Sequence, residues 1–245
     1  YLIQTAEKGI NWLRLRASGR PGHGSMVHED NAVTRLAAAV SRIGAHEFPV
    51  VVTDTVRATI RGLAELTGMD LDPDDVQTWL PKLGPAARMI GATIRNTANP
   101  TMLQGGYKAN VIPSSAQATI DCRFLPGQEQ ALLEVIDELA GDGIVRETIV
   151  QDIAVETGFD GALVDAMCAA LRAEDVGAHP LPYLMSGGTD AKSFSTLGMR
   201  CFGFSPLLLP ADLDFTSLFH GIDERVPVDG LKFGVRVLDR LLSNC

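Results

Sequence analysis

Residues 116–124 read AQATIDCRF and give the clearest structural signal in the chain. Apolar residues at the even positions alternate with polar residues at the odd positions. Successive side chains of a β-strand point to opposite faces, so this period of two predicts a strand with one buried face and one polar face. Pro126 and Gly127 follow and end the strand.

The segments around this strand show the periods of further strands and helices. Residues 12–17 and 146–155 have the composition and alternation of strands, and residues 101–103 look extended. Residues 31–45 and 132–139 place apolar side chains at helical spacing. Strand, helix, two strands, helix and strand is the split βαβ order of a ferredoxin-like (βαββαβ) layer.

The remaining segments predict a helical cluster and an α/β region. Residues 55–95 are helical in character but are interrupted by glycines and prolines, which predicts several short helices. In the last third, residues 163–171 and 231–242 have helical spacing, whereas 181–185 and 200–204 are short apolar runs typical of strands. The last third therefore indicates α/β layering.

Composition excludes several classes of function. The 245-residue chain is 46% hydrophobic and has a formal net charge of −9, with its Lys and Arg residues dispersed, which argues against nucleic acid as a partner. Its four cysteines show no C-x-x-C spacing, which favours a reducing, cytoplasmic location. No stretch approaches the roughly 20 apolar residues of a membrane span.

Because the chain begins at Tyr1 without an initiator Met or a signal-peptide pattern, we expect upstream sequence to be missing.

Two candidate residues lie in loops of the first half. His23 stands in the glycine-rich segment GRPGHGS at 19–25, where glycines allow the backbone to approach a ligand closely. Asn110, in KANVIP at 108–113, carries an amide that suits a substrate carboxylate or carbonyl. Each segment in isolation also fits a simple turn with an exposed polar side chain.

Arg123 and a glycine-rich turn are candidate carboxylate ligands. Arg123 lies on the polar face of the clearest strand, and its guanidinium suits either a carboxylate ligand or an ion pair with a neighbouring acid. The turn Gly187-Gly188-Thr189 precedes a predicted helix, and amide N–H groups at such a position bind anions. Asp190, by contrast, is interpreted as the helix N-cap.

His220 is the candidate metal ligand. It lies in the segment FHGIDER at 219–225, where a histidine flanked by glycine and acidic residues fits metal coordination.

Together the segments at 19–25, 110–113, 121–123, 187–190 and 220–224 resemble, in order, the motifs of the M20 family of zinc metallopeptidases and amidohydrolases. That family includes aminoacylase-1, carboxypeptidase G2 and succinyl-diaminopimelate desuccinylase. The resemblance covers nearly the whole chain and implies the C-terminal portion of such an enzyme.

The resemblance implies a domain organisation. Residues 10–156 would form a ferredoxin-like lid or dimerisation domain with a helical insertion at about 50–97. This domain would be inserted in part of an α/β zinc-peptidase catalytic domain, to which residues 1–9 and 157–245 would belong.

The resemblance also implies roles for individual residues. His220 would be a zinc ligand, with Asp223 or Glu224 orienting it, in a site that holds two zinc ions in the complete enzyme. His23 would act catalytically across a lid-to-lid homodimer by stabilising the oxyanion. A further set of residues would bind the substrate's carboxylate and carbonyl: Asn110, Arg123, Gly187, Gly188 and Thr189.

The expected activity is zinc-dependent hydrolysis of an amide or peptide bond next to a free carboxylate, as in N-acyl amino acid deacylases and carboxypeptidases. The family's other metal ligands precede the lid, and residues 1–18 contain Glu7 as their only acid. We therefore expect this chain alone to be an incomplete, inactive fragment. The alternatives are a non-catalytic dimerisation or binding module derived from the same fold, and an unrelated ferredoxin-like regulatory protein.

Overall fold

The computed structural model describes residues 1–83, 86–219 and 221–244. The strands are β1 (Leu2–Glu7), β2 (Gly9–Ser18), β3 (Gly22–His23), β4 (Thr97–Gly105), β5 (Val111–Ile112), β6 (Ser115–Phe124), β7 (Ile144–Asp152), β8 (Val155–Glu156), β9 (Leu181–Met185) and β10 (Gly203–Phe204). The helices are α1 (Ala32–Ala45), α2 (Asp54–Thr67), α3 (Val76–Trp79), α4 (Ala86–Thr93), α5 (Glu129–Ala140), α6 (Ala162–Glu174), α7 (Ala191–Ser195) and α8 (Val228–Ser243), with 3-10 turns at Leu80–Leu83 and Phe215–Leu218.

The chain is a mixed α/β protein that divides into two compact units. Unit 2 consists of Lys8–Val51 and Arg95–Ala154. Unit 1 consists of Tyr1–Glu7, Val52–Ile94 and Val155–Cys245.

Unit 2 is built on the ladder between β2 and β6. These strands pair antiparallel without interruption from Gly9 opposite Phe124 to Ser18 opposite Ser115. The sheet order is β4-β6-β2-β7, and every neighbouring pair is antiparallel. The strand predicted at 116–124 is confirmed as β6, and its alternation places the apolar residues in the core. Along the chain, the sheet strands and the two helices follow the predicted order β2, α1, β4, β6, α5, β7.

Two helices supply the apolar side chains that cover this sheet. The side chain of Asn31 caps α1 by accepting hydrogen bonds from the amides of Val33 and Thr34, which satisfies donors that the first helical turn leaves unpaired. Leu36 of α1 and Leu132 of α5 are fully buried in the same cluster as the β6 residues. Truncating a buried leucine to alanine costs about 2–5 kcal/mol, so these contacts are a major source of stability.

Unit 1 has β1 at the centre of a smaller sheet. β1 pairs parallel with β9 and antiparallel with β8 and β10. Helices α6 and α8 contribute buried residues to one core cluster with Ile3 of β1. The strand predicted at 181–185 is confirmed as β9, whereas the one predicted at 200–204 is limited to β10. Arg200 instead belongs to a loop, where its guanidinium donates to the hydroxyl of Thr157 and to Asp160.

The helical segment that follows α1 belongs to a different unit from the one expected from the sequence. Val52–Ile94 belongs to unit 1, whereas residues 50–97 were expected from the sequence to be an insertion in the lid. The contacts of α2 explain the grouping, since the hydroxyl of Thr59 donates to the carbonyl of Pro182 at 2.7 Å. The amide of Thr55 also donates to the Glu156 carboxylate at 2.9 Å.

Two further observations concern membranes and thiols. Among the residues that the structure describes, no helix is both long and apolar enough to cross a bilayer. Cys122, Cys168 and Cys201 are free thiols, and Cys245 lies outside the described residues.

Helix α8 allows a test of the unit 1 core, because Phe233 is 2% exposed and Val235, two residues later, is 66% exposed. We expect Phe233→Ala to lower the free energy of unfolding of unit 1 by about 3–5 kcal/mol, since it leaves a cavity. Val235→Ala should change it by less than about 0.5 kcal/mol.

The chain's two tryptophans make the measurement specific, because Trp12 belongs to unit 2 and Trp79 to unit 1. In a Trp12→Phe background, urea unfolding followed by tryptophan fluorescence reports on unit 1. Equal effects of the two alanine substitutions would contradict the assignment of the buried face of α8.

Candidate functional site

The glycine-rich loop and the Asn110 segment meet in a short two-stranded sheet. Gly22 pairs with Ile112 and His23 with Val111 in the antiparallel ladder of β3 and β5. The amide of Gly24 also donates to the carbonyl of Asn110 at 2.9 Å. The structure therefore brings together two candidate residues, His23 and Asn110, that are far apart in sequence.

The imidazole of His23 is exposed and is oriented by Ser25. Its Nδ1 lies 2.8 Å from the Ser25 hydroxyl and accepts a long hydrogen bond, 3.3 Å, from the Ser25 amide. Because Nδ1 acts as an acceptor there, the neutral ring carries its proton on Nε2. That N–H is a hydrogen-bond donor available to a ligand.

Close packing explains two glycines of this loop. A Cβ atom on Gly19 would lie 2.6 Å from the carbonyl oxygen of Asp30, and one on Gly22 would lie 3.0 Å from the ring of His28. The Asp30 carboxylate holds the same region by accepting from the Arg20 amide at 2.9 Å and from the Arg35 guanidinium at 2.6 Å. The hydrogen bond from Arg35 is the main reason that the pKa of Asp30 is lowered.

Arg123 forms an ion pair within its own strand. Its Nε and Nη2 donate to the two carboxylate oxygens of Asp121, at 2.6 and 3.0 Å. The two residues share the outer face of β6, opposite Ile10 and Trp12 of β2. The ion pair proposed as an alternative is therefore present. Within the described chain Nη1 of Arg123 has no hydrogen-bond partner, so it is available to a ligand.

Lys8, which the sequence analysis did not select, lies fully buried in the same unit as Arg123. Burial, followed by repulsion from the charge of Arg123, lowers the pKa of Lys8 to about 8. The only feature of the sequence that could have indicated this lysine is its position between two strands. A charged residue at such a position more often lies in a solvated turn.

The turn Gly187-Gly188-Thr189 follows β9 and precedes α7 in unit 1. Neither glycine has a positive φ, and a Cβ on Gly187 would make ordinary contacts with Met185 at 3.6 Å or more. The fold therefore does not require glycine at 187. Thr189 donates from its amide, at 3.0 Å, and from its hydroxyl to the carboxylate of Glu7. Asp190 occupies the N-cap position of α7, but its side chain makes no capping hydrogen bond.

The candidate metal ligand His220 lies outside the described residues. Asp223 and Glu224, its proposed orienting partners, are exposed. Across residues 1–83, 86–219 and 221–244, no group of three or more His, Cys, Asp or Glu side chains could hold a metal ion. The described donors therefore do not fit a zinc centre, and zinc ligation by His220 stays a prediction.

The fold and the candidate side chains together indicate the class of protein to which this chain belongs. Unit 2 carries the His23 imidazole and the Asn110 amide at the β3–β5 pair and the Arg123 guanidinium on its four-stranded sheet, and these groups bind carbonyl and carboxylate oxygens. Residues 5–145 match the M20_dimer family, the peptidase dimerisation domain. This match spans more than half of the chain, and the chain belongs to that family.

Curated relatives and solved structures agree with the M20 resemblance. The chain is 28% identical over 258 aligned residues to human "N-fatty-acyl-amino acid synthase/hydrolase PM20D1" and 25% identical over 259 to pig aminoacylase-1. Each alignment covers 99% of this chain but only 50% and 52% of the relative, so the chain spans about half their length.

The M20 metallo-carboxypeptidase Sso-CP2 of Sulfolobus solfataricus has a similar fold, with a TM-score of 0.64 and 18% identity. The dipeptidase Dug1p of Saccharomyces cerevisiae gives a TM-score of 0.66 and 14% identity. These matches cover 98% of this chain and 59% and 55% of the two structures.

The depressed pKa of Lys8 predicts a pH-dependent effect of Lys8→Met. The pKa of Lys8 is about 8 in the folded chain and 10.5 ordinarily. At pH values between these two, the lysine is protonated more often in the unfolded chain than in the folded chain. The free energy of unfolding of wild type therefore rises with pH across this range. Methionine does not titrate, so the free energy of unfolding of Lys8→Met lacks this rise. The stability of Lys8→Met relative to wild type should therefore fall by up to about 3 kcal/mol across that range.

Urea unfolding of both proteins at several pH values from 7 to 11 measures this difference. The matched control for loss of a lysine is Lys108→Met, which removes an exposed lysine of unit 2. Parallel pH curves for Lys8→Met and wild type would contradict the lowered pKa of Lys8.

Proposed function

We propose that this chain is the dimerisation and substrate-holding part of a hydrolase that cleaves an amide or peptide bond next to a free carboxylate. Membership of the peptidase dimerisation family is the observation that carries the proposal. The names of the relatives add support, because an N-acyl amino acid hydrolase, an aminoacylase and a carboxypeptidase S-like protein all fit this substrate description.

The proposed substrate contacts use donors that the fold leaves accessible. Hydrolysis adds water to the carbonyl carbon of the scissile bond and places negative charge on its oxygen. The Nε2–H of His23 is suited to stabilise that oxyanion, since an oriented donor at developing charge lowers the barrier. In unit 2, Asn110 and Nη1 of Arg123 would hold the substrate's carbonyl and carboxylate oxygens. In unit 1, the amides of Gly187 and Gly188 are separate candidate donors for a carboxylate.

The other half of the relatives' length would supply the remainder of the active site in this proposal. The share of the relatives that the chain covers supports it. Zinc as the cofactor rests on the family resemblance and on His220.

Binding of N-acetyl-L-leucine tests the substrate class. We expect Arg123→Gln to weaken binding about tenfold, because it removes a charge-assisted hydrogen bond of about 1.5–3 kcal/mol. The matched control is Arg14→Gln, which removes an ion-paired arginine from the same face of the sheet. Calorimetric titration measures both variants, and the methyl ester of the ligand, which has no free carboxylate, should bind wild type as weakly as the acid binds Arg123→Gln.

A homodimer through unit 2 is the second part of the proposal. Strand β4 is an edge of the four-stranded sheet, and edge strands present unpaired backbone groups that can pair with another chain. Its residues Met102 and Leu103 are 55% and 61% exposed. Strand β4 leads into the Asn110 segment, whose strand β5 pairs with His23, so a dimer formed through this edge would lie near the residue that the family resemblance places in a partner's site.

The two edges of the sheet provide a matched test of the dimer. Leu103→Lys introduces a charge on β4, and Val145→Lys introduces one on the opposite edge strand β7 at the same exposure, 60%. We expect wild type and Val145→Lys to sediment as dimers and Leu103→Lys as a monomer. A monomeric wild type would remove the trans role proposed for His23.

The second candidate function is a non-catalytic dimerisation or binding module. The pairing of Arg123 with Asp121 favours it, because this arginine already has a structural role. A module of this kind would dimerise through β4 but would bind N-acetyl-L-leucine and its methyl ester equally.

A further inference from the structure

Glu7 is a fully buried carboxylate at the end of β1 in unit 1. Burying an isolated carboxylate is costly, so such a group requires hydrogen-bond donors or a compensating charge. Glu7 has both. Its Oε2 accepts the amide of Thr189 at 3.0 Å and lies 4.0 Å from Nζ of Lys192, which is also buried. Its Oε1 accepts from the hydroxyl of Thr189 and from the side-chain Nε2 of Gln4.

Both donors of Thr189 are thereby engaged by the protein itself. A ligand at the turn would have to compete with an internal carboxylate for them. In the described chain, the amides of Gly187 and Gly188 make no comparable hydrogen bond, and Gly188 is exposed. Thr189 therefore serves as the anchor of the turn, and the two glycines provide its free donors.

We propose that Glu7 is the positioning residue of the Gly187-Gly188-Thr189 turn, which it fixes through Thr189 so that the two glycine amides point at an anionic ligand. This inference rests on the proposed function, because it takes the ligand to be the free carboxylate of an N-acyl amino acid.

The composition of the turn supplies the physical reason for an anchor. Glycine loses more conformational entropy on ordering than any other residue, so two consecutive glycines next to a strand end would sample many conformations. Two hydrogen bonds from the adjacent threonine to a buried carboxylate restrict that sampling before a ligand arrives. Ligand binding then costs less ordering entropy, which is the advantage of a preorganised site.

A carboxylate suits this position because it only accepts hydrogen bonds. Thr189 presents an N–H and an O–H, and Gln4 presents an N–H, to its two oxygens. A neutral amide would place its own NH₂ group against one of these donors. Lys192 supplies the balancing charge.

Variants of Thr189 test the anchor without disturbing the buried charge pair. Thr189→Val has nearly the same shape but lacks the hydroxyl, whereas Thr189→Ser keeps both donors. In a chain labelled with ¹⁵N-glycine, N-acetyl-L-leucine should shift the Gly187 and Gly188 resonances of wild type. We expect the affinity to fall about tenfold in Thr189→Val and to stay within about twofold of wild type in Thr189→Ser.

A second variant removes the carboxylate itself. Because Glu7→Gln would remove the negative charge that lies 4.0 Å from buried Lys192, the double variant Glu7→Met/Lys192→Met is preferable, since apolar replacement of a buried pair is often tolerated. The Thr189 amide should exchange its hydrogen at least tenfold faster in this variant than in wild type, while amides of the α6–α8 core keep their protection.

The two readouts separate the positioning role from the proposed function. Binding that is unchanged in Thr189→Val and in the double variant would overturn the positioning role while leaving the substrate class intact. If wild type does not bind the ligand, the substrate assignment fails for this chain. The hydrogen exchange of the Thr189 amide then tests whether Glu7 anchors the turn. Loss of Thr189 protection in the double variant would then support the anchor, and unchanged protection would overturn it.

Discussion

The ladder between β2 and β6 is the constraint on which unit 2 depends. Its ten residue pairs run without a bulge, so one register decides which side chains face the helices and which face outward. The inward set forms the core with α1 and α5. At one end of the ladder the outward face presents Arg123. At the other end the chain leaves β2 at Ser18 and enters β6 at Ser115.

That second end explains how the candidate residues of the loops meet. Since Ser18 and Ser115 are paired, the segments that flank them in sequence must run side by side. The amide of Gly19 donates to the carbonyl of Ser114, and β3 and β5 then pair, bringing His23 next to the Asn110 segment. The register of a long ladder thus fixes the geometry of a candidate site that contains almost no regular structure of its own.

The sequence predicted the long elements well, because a period of two or 3.6 repeated over many residues is a strong signal. It could not predict the pairing of β3 with β5, since two-residue strands carry no period. The spacing of Asp121 and Arg123 placed them on one face, but it did not decide between an ion pair and a ligand site. Glu7 was missed as a site residue because an acid at a strand end normally indicates solvent, and its partner Thr189 lies in a distant segment.

Gly9, at the start of β2, leaves little freedom for substitution at one end of the long ladder. β1 ends at Glu7 and β2 begins at Gly9, so Lys8 alone separates two strands that belong to different sheets, and both charged side chains are fully buried. Gly9 cannot gain a side chain, because a Cβ atom would lie 2.0 Å from the ring of Phe124. A slip of β2 by one residue against β6 would turn the apolar side chains of β2 outward, so the close packing at Gly9 also holds the register of unit 2.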